Sequence, residues 1–194
     1  MNATRDFVTV VSGLPRSGTS LAMQMLRAGG MVVLADETRP ADVDNPAGYF
    51  EYAPVLRTEH DASWVAEARG KAVKVIYALL RQLPREFSYR VLWMRRDLEE
   101  VIVSQEAMLA RRGAAPEGGL SHERLAGVFA AQLCETEAWL AQQPSFQVLV
   151  VDHATLIADP YRAARSVDAF LGPGLDVAKM ATCVEPALHR RRTQ

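Results

Sequence analysis

The chain has 194 residues, enough for one well-buried domain and too few for two comfortable ones. About half of the residues are hydrophobic (49%) and the formal net charge is −1, which argues against a nucleic-acid coat or a membrane-surface binder. Two cysteines, Cys134 and Cys183, make neither a disulfide framework nor a zinc cluster, and both read as reduced bystanders.

The apolar run Phe7–Val11 is too short for a signal-peptide core, and no run reaches the roughly 20 residues needed to span a bilayer. The cytoplasm is the expected location. In chain order, short β-branched runs predict strands at Phe7–Ser12, Met31–Leu34, Val73–Ile76, Tyr89–Met94 and Gln147–Val151. Helical periodicity separates them. Thr19–Ala28 groups Leu21, Ala22, Met25 and Leu26, and Leu98–Arg112 groups Val101, Ile102, Met108 and Leu109. Ser121–Gln142 starts on a capping serine and places Leu125, Val128, Phe129, Leu133 and Leu140 together. Asp159 and Pro160 open a last helix, which Gly172 and Pro173 stop. Alternating strands and helices predict an α/β fold: three layers, α/β/α, around a central parallel sheet of about five strands, in one domain.

Ligands of such sheets bind beyond the carboxyl ends of the strands. After the first strand comes Gly13-Leu14-Pro15-Arg16-Ser17-Gly18-Thr19-Ser20, then a helix. A strand, a glycine-rich loop and a helix form a phosphate cradle, because successive backbone N–H groups and the helix N-terminus point at one anion. The ATP-type loop G-x-x-x-x-G-K-[ST] places lysine where this chain has Thr19, and the cation comes earlier, at Arg16. That departure argues against a P-loop nucleotide kinase.

Pro15-Arg16-Ser17-Gly18-Thr19-Ser20 resembles the 5′-phosphosulfate loop of the sulfotransferase superfamily, above all the branch with bacterial sulfotransferases and tyrosylprotein sulfotransferases. A second stretch, Tyr89–Ser104, resembles that family's 3′-phosphate motif. Arginine stands at the strand end (Arg96), an aspartate follows (Asp97), and Ser104 lies at the family's spacing. An arginine fork grips phosphate in two places and a serine hydroxyl meets a further oxygen. The plainer alternative for Arg96 is an ion pair with Glu99 or Glu100, and Asp97 reads as a helix cap or an orienter of the arginine. Val148–Leu171 resembles the family's late strand and Asp-Pro helix, with Asp152-His153 where many members have Tyr-Glu; His153 is read as structural.

The resemblance implies a donor, 3′-phosphoadenosine-5′-phosphosulfate (PAPS), held by Pro15, Arg16, Ser17, Gly18, Thr19, Ser20, Arg96 and Ser104. It implies sulfuryl transfer to a hydroxyl or amine acceptor, with no metal. The acceptor is a small molecule or a peptide; neither nucleic acid nor membrane is expected as a partner. Arg16 is expected to face the transferring group, with Lys71 or Lys74 as a second cation. Glu37, in Asp36-Glu37-Thr38-Arg39, resembles the base of tyrosylprotein sulfotransferases, with Arg39 as its orienter or a sulfate contact; Asp36 and Glu51 are the alternatives, and His60 and Asp61 rank third. Residues 35–63, with Tyr49, Phe50 and Tyr52, are expected to form the acceptor-side loop or lid. Arg190, Arg191 and Arg192 resemble basic segments that reach the donor phosphates in some relatives, but read more readily as a polar tail. A non-catalytic PAPS-binding protein of the same fold is the other alternative.

Overall fold

The computed structural model describes residues 5–36, 42, 45, 48–111, 113 and 121–184. Five parallel strands form one sheet: β1 (Val8–Gly13), β2 (Val33–Leu34), β3 (Ala72–Lys74), β4 (Tyr89–Arg95) and β5 (Phe146–Asp152), in the order β2-β3-β1-β4-β5. β1 lies in the middle, paired through Val11↔Lys74 on one side and Gly13↔Met94 on the other. Its carboxyl end is therefore flanked by those of β3 and β4, where the two sequence motifs emerge.

The strands alternate their side chains between two apolar layers, as a period of two requires. Val11, Leu92 and Met94 face α1 (Thr19–Ala28), α6 (Pro160–Leu171) and α7 (Val177–Thr182). Val8, Val10, Tyr89, Val91 and Trp93 face a layer holding Val55, Trp64, Leu80 and Leu140. That second layer includes 3₁₀ turns at Ala53–Arg57 and Tyr77–Gln82, α2 (Trp64–Glu67) and α4 (His122–Leu140). Two further helices are α3 (Leu98–Arg111) and α5 (His153–Ala158). The predicted α/β architecture with about five parallel strands is thus observed.

Three predicted elements differ. The expected strand Val73–Ile76 is Ala72–Lys74, because Ile76 already leads into the 3₁₀ turn at Tyr77–Gln82. The expected strand Met31–Leu34 is only Val33–Leu34, because Met31 closes the exit turn of α1, its N–H donating to the Leu26 carbonyl at 3.0 Å. The apolar stripe expected along Ser121–Gln142 is only partly used. Leu140 is buried, but Val128 is 43% exposed, since only the C-terminal half of α4 reaches the sheet layer. Ser121 does cap α4 and Asp159 caps α6, accepting the Arg162 N–H at 2.9 Å. Both cysteines are free thiols. Among the described residues no helix is long and apolar enough to cross a membrane.

Candidate active site

The loop after β1 is shaped by backbone conformations that side chains resist. Gly13 has φ 148°, and a Cβ there would stand 2.6 Å from the Met94 carbonyl oxygen on the neighbouring strand. Gly18 has φ 98° and precedes α1, whose first N–H groups receive no side-chain cap from it. Those N–H groups, at the positive end of a ten-residue helix with no acidic residue in its first turn, are suited to an anion. Ser17 is buried and holds the loop from inside: its hydroxyl donates to the Leu14 carbonyl at 2.7 Å. Pro15, Arg16 and Thr19 line the adjoining cavity.

Arg16 adopts φ 71°, a left-handed conformation that costs a non-glycine residue about 1–2 kcal/mol. Its Nε donates to the hydroxyl of Ser104 at 3.0 Å. Arg96 completes the network, donating from Nη1 to the Arg16 carbonyl at 3.0 Å and from Nε to Glu100 at 2.8 Å. The plainer reading of Arg96 is observed in its ion pair with Glu100, and another edge of the same guanidinium reaches the loop after β1. Its neighbour Arg95 turns away to Glu137 on α4, at 2.8 Å. Asp97 caps α3 by accepting the Glu100 N–H at 3.1 Å.

The segment after β2 is tied to the same place. The Lys74 ammonium donates to the Tyr49 carbonyl. Ser20 donates to that carbonyl at 3.3 Å and accepts from the Asn45 amide at 2.8 Å. Phe50, between two cavity-lining residues, has φ 53°, rare for a bulky side chain. Arg16 and Phe50 are the two non-glycine residues at positive φ among those described; Arg16 lines the cavity, whereas Phe50 is buried in the core with Val11 and Met25 while both of its chain neighbours line the cavity. Such strain persists only where surrounding contacts impose it, and it gathers at functional sites.

That cavity holds about 320 Å³. Among the described residues Arg16, Glu51 and Lys74 supply its charged groups and Thr19 a hydroxyl; Leu14, Tyr49, Tyr52, Val55, Leu56, Ile76 and Met108 supply much of its wall. Of the two lysines, only Lys74 lines it. Lys71 precedes β3, at the amino end of the strand, and the loop lies beyond the carboxyl ends. Asp36 is turned to the backbone, accepting the Ala53 N–H at 2.6 Å, while its own N–H donates to the Glu51 carbonyl at 2.8 Å. His60 is exposed and does not line the cavity. Asp61, also outside it, accepts from the Ser63 N–H at 3.0 Å; bonding to Ser63 holds its carboxyl below the ordinary range. Glu37, Arg39 and Arg190–Arg192 lie outside the described residues.

Two contacts were not expected from the sequence. Met108 reaches the cavity from α3, one turn beyond Ser104, and the i,i+4 spacing was the available signal. His153 is buried behind the glycine-rich loop: a Cβ on Gly18 would lie 2.8 Å from its Cδ2 atom.

No family model and no curated protein matches the chain. Among solved structures, the crystal structure of mouse sulfotransferase SULT7A1 complexed with PAP is similar at a TM-score of 0.53 and 14% identity, over 94% of this chain and 63% of that one. The fold is shared with a sulfotransferase. The chain spans less than two thirds of that protein's length. An unliganded sugar kinase from Janibacter sp. HTCC2649 covers 93% of this chain and 96% of its own at 15% identity, with a TM-score of 0.41, too low to bear on the fold.

Proposed function

We propose that this protein is a PAPS-dependent sulfotransferase that moves a sulfuryl group to a hydroxyl or amine acceptor. The observation that carries the reading is the contact of Arg16 with Ser104. It joins the loop that resembles a 5′-phosphosulfate site to the motif that resembles a 3′-phosphate site. A donor with anionic groups at both ends of one nucleoside is the ligand that two adjoining anion sites suit. The donor set also fits: two guanidinium groups, the Thr19 and Ser104 hydroxyls, and the uncapped N-terminus of α1. The fold shared with the mouse enzyme supports the same reading.

The donor supplies an activated sulfuryl group, and the protein must position it and offset its charge. In this reading Arg16 and Lys74 face the group in transfer, Thr19 and the α1 N-terminus hold the 5′ side, and Arg96 with Ser104 holds the 3′ side. Lys71, at the far end of β3, has no part in it. A bond forms from the acceptor oxygen to sulfur as the bond from sulfur to the donor's bridging oxygen breaks. The acceptor proton passes to a carboxylate, and adenosine 3′,5′-bisphosphate leaves. Glu37 is the proposed base, with Glu51, which lines the cavity, as the alternative. Asp36 is set aside because its carboxylate holds the Ala53 N–H.

Thermal unfolding with added nucleotide tests the reading. Adenosine 3′,5′-bisphosphate at about 100 times its dissociation constant should add roughly 2.7 kcal/mol of stability. ATP and AMP should add far less, having no 3′-phosphate for Arg96 and Ser104. Equal stabilisation by ATP would overturn it.

A further inference from the structure

We infer that the acceptor is a compact, uncharged, apolar alcohol or phenol, and that Met108 and Ile76 select it. The inference rests on the sulfotransferase reading and adds the acceptor's class. Among the described residues the charged groups of the cavity come from Arg16, Glu51 and Lys74, with the Thr19 hydroxyl beside the glycine-rich loop. Among the described residues the rest of the wall is mostly carbon: Val55, Leu56, Ile76, Met108 and the ring of Tyr52, whose hydroxyl is its one further polar side-chain group. Tyr49 belongs with them, because its hydroxyl is engaged by the Asp42 carboxylate at 2.8 Å.

The floor is built in advance. Val55 is buried, and Tyr52 meets Trp64 edge to face, ring centroids 6.2 Å apart. Trp64 is itself fixed, its Nε1 donating to the Thr58 hydroxyl at 3.1 Å. The rim is apolar as well: Leu56 is 72% exposed and Ile76 41% exposed. Apolar side chains at that exposure, gathered at a cavity mouth, mark a surface that an apolar ligand would cover.

Size and polarity select the class together. A cavity of about 320 Å³ lies at the small end for small-molecule sites. An acceptor hydroxyl placed at the polar end leaves its body against carbon. A sugar would bring several further hydroxyls into that wall, more than the Tyr52 hydroxyl can pair, and each unpaired one loses water at roughly tenfold in affinity. An acidic peptide would bring charge, which costs more.

Two measurements separate this inference from the reading beneath it. Binding of adenosine 3′,5′-bisphosphate tests the donor site alone; no binding overturns both. With binding established, transfer from labelled donor is compared for 4-ethylphenol, 1-hexanol, glucose and an acidic tyrosine-containing peptide. We expect kcat/KM for 4-ethylphenol or 1-hexanol to exceed that for glucose and for the peptide by at least about 100-fold, two hydroxyls' worth of unpaired burial. Met108→Glu and Ile76→Glu should each raise KM for the apolar acceptor about tenfold or more, with bisphosphate affinity unchanged, and Met108→Leu should restore it. Glucose or peptide used as well as the apolar acceptors, no transfer to either apolar acceptor, or an unmoved KM in both glutamate variants would overturn the inference while leaving the donor site standing.

Discussion

Arg16 Nε donates to Ser104 Oγ at 3.0 Å, closing a gap of 88 residues between the glycine-rich loop and α3. The Arg96 guanidinium then holds the Arg16 carbonyl at 3.0 Å. Arg16 is thus fixed at both ends, backbone and side chain, in a conformation that it would not choose alone. A charge held this way needs little reorganisation when an anion arrives.

The two arginines should therefore separate in kinetics. Arg96→Ala should weaken binding of adenosine 3′,5′-bisphosphate, since it removes a charge-assisted contact worth roughly 1.5–3 kcal/mol. Arg16→Ala should depress turnover more than it weakens that binding, because the charge it faces develops during transfer. Calorimetric binding beside turnover at saturating donor checks both. Normal turnover in Arg16→Ala would contradict its role.

The base is tested by two conservative changes. Glu37→Gln should slow transfer to a hydroxyl acceptor by roughly 10²–10⁴-fold while bisphosphate binding survives. Glu51→Gln should act more mildly and mainly on acceptor KM. Reversal of the two effects would move the base to Glu51, which lines the cavity.

Gly18 meets two constraints at once, φ 98° and the imidazole of His153. Gly18→Ala should cost roughly 1–3 kcal/mol of stability and lower bisphosphate affinity as the loop shifts. Pairing it with His153→Ala relieves the contact and leaves the backbone strain, so the double variant should recover only part of the loss. Chemical denaturation of the four proteins gives the coupling. Full recovery would mean that the backbone angle carries no cost.

Asp152 caps α5, its Oδ1 accepting the Thr155 N–H at 2.7 Å, and that bond holds its carboxyl below the ordinary value of 3.8. The folded pKa lies below the unfolded one. Its contribution is therefore complete above the unfolded value and fades as pH falls below 3.8 through the folded value. Tm measured downward from about pH 5 should fall less steeply in Asp152→Asn than in the parent, because this one titration is gone. Asp152→Ala should cost about 0.5–2 kcal/mol at neutral pH through loss of the cap.

By itself the sequence determined the α/β class, the five strands and the glycine-rich loop between β1 and α1, because each rests on neighbours in the chain. Val8–Gly13 is β-branched at four of its six positions, and Gly18 with Thr19 begins a helix by local chemistry. Asp97, Asp152 and Asp159 cap helices through N–H groups three residues on, a signal that spacing alone carries. Tertiary structure decided which charged groups meet. Lys71 and Lys74 flank the same three-residue strand, yet they sit at opposite ends of it, and only strand direction assigns one to the cavity. Arg95 and Arg96 are adjacent, and alternation sends one to Glu137 and the other to the Arg16 carbonyl. Tyr49, Ser20 and Lys74 are joined through one carbonyl oxygen, a contact between three elements that no local pattern announces. A backbone hydrogen bond four residues away is written in the chain; one that spans 88 residues depends on how the sheet is ordered.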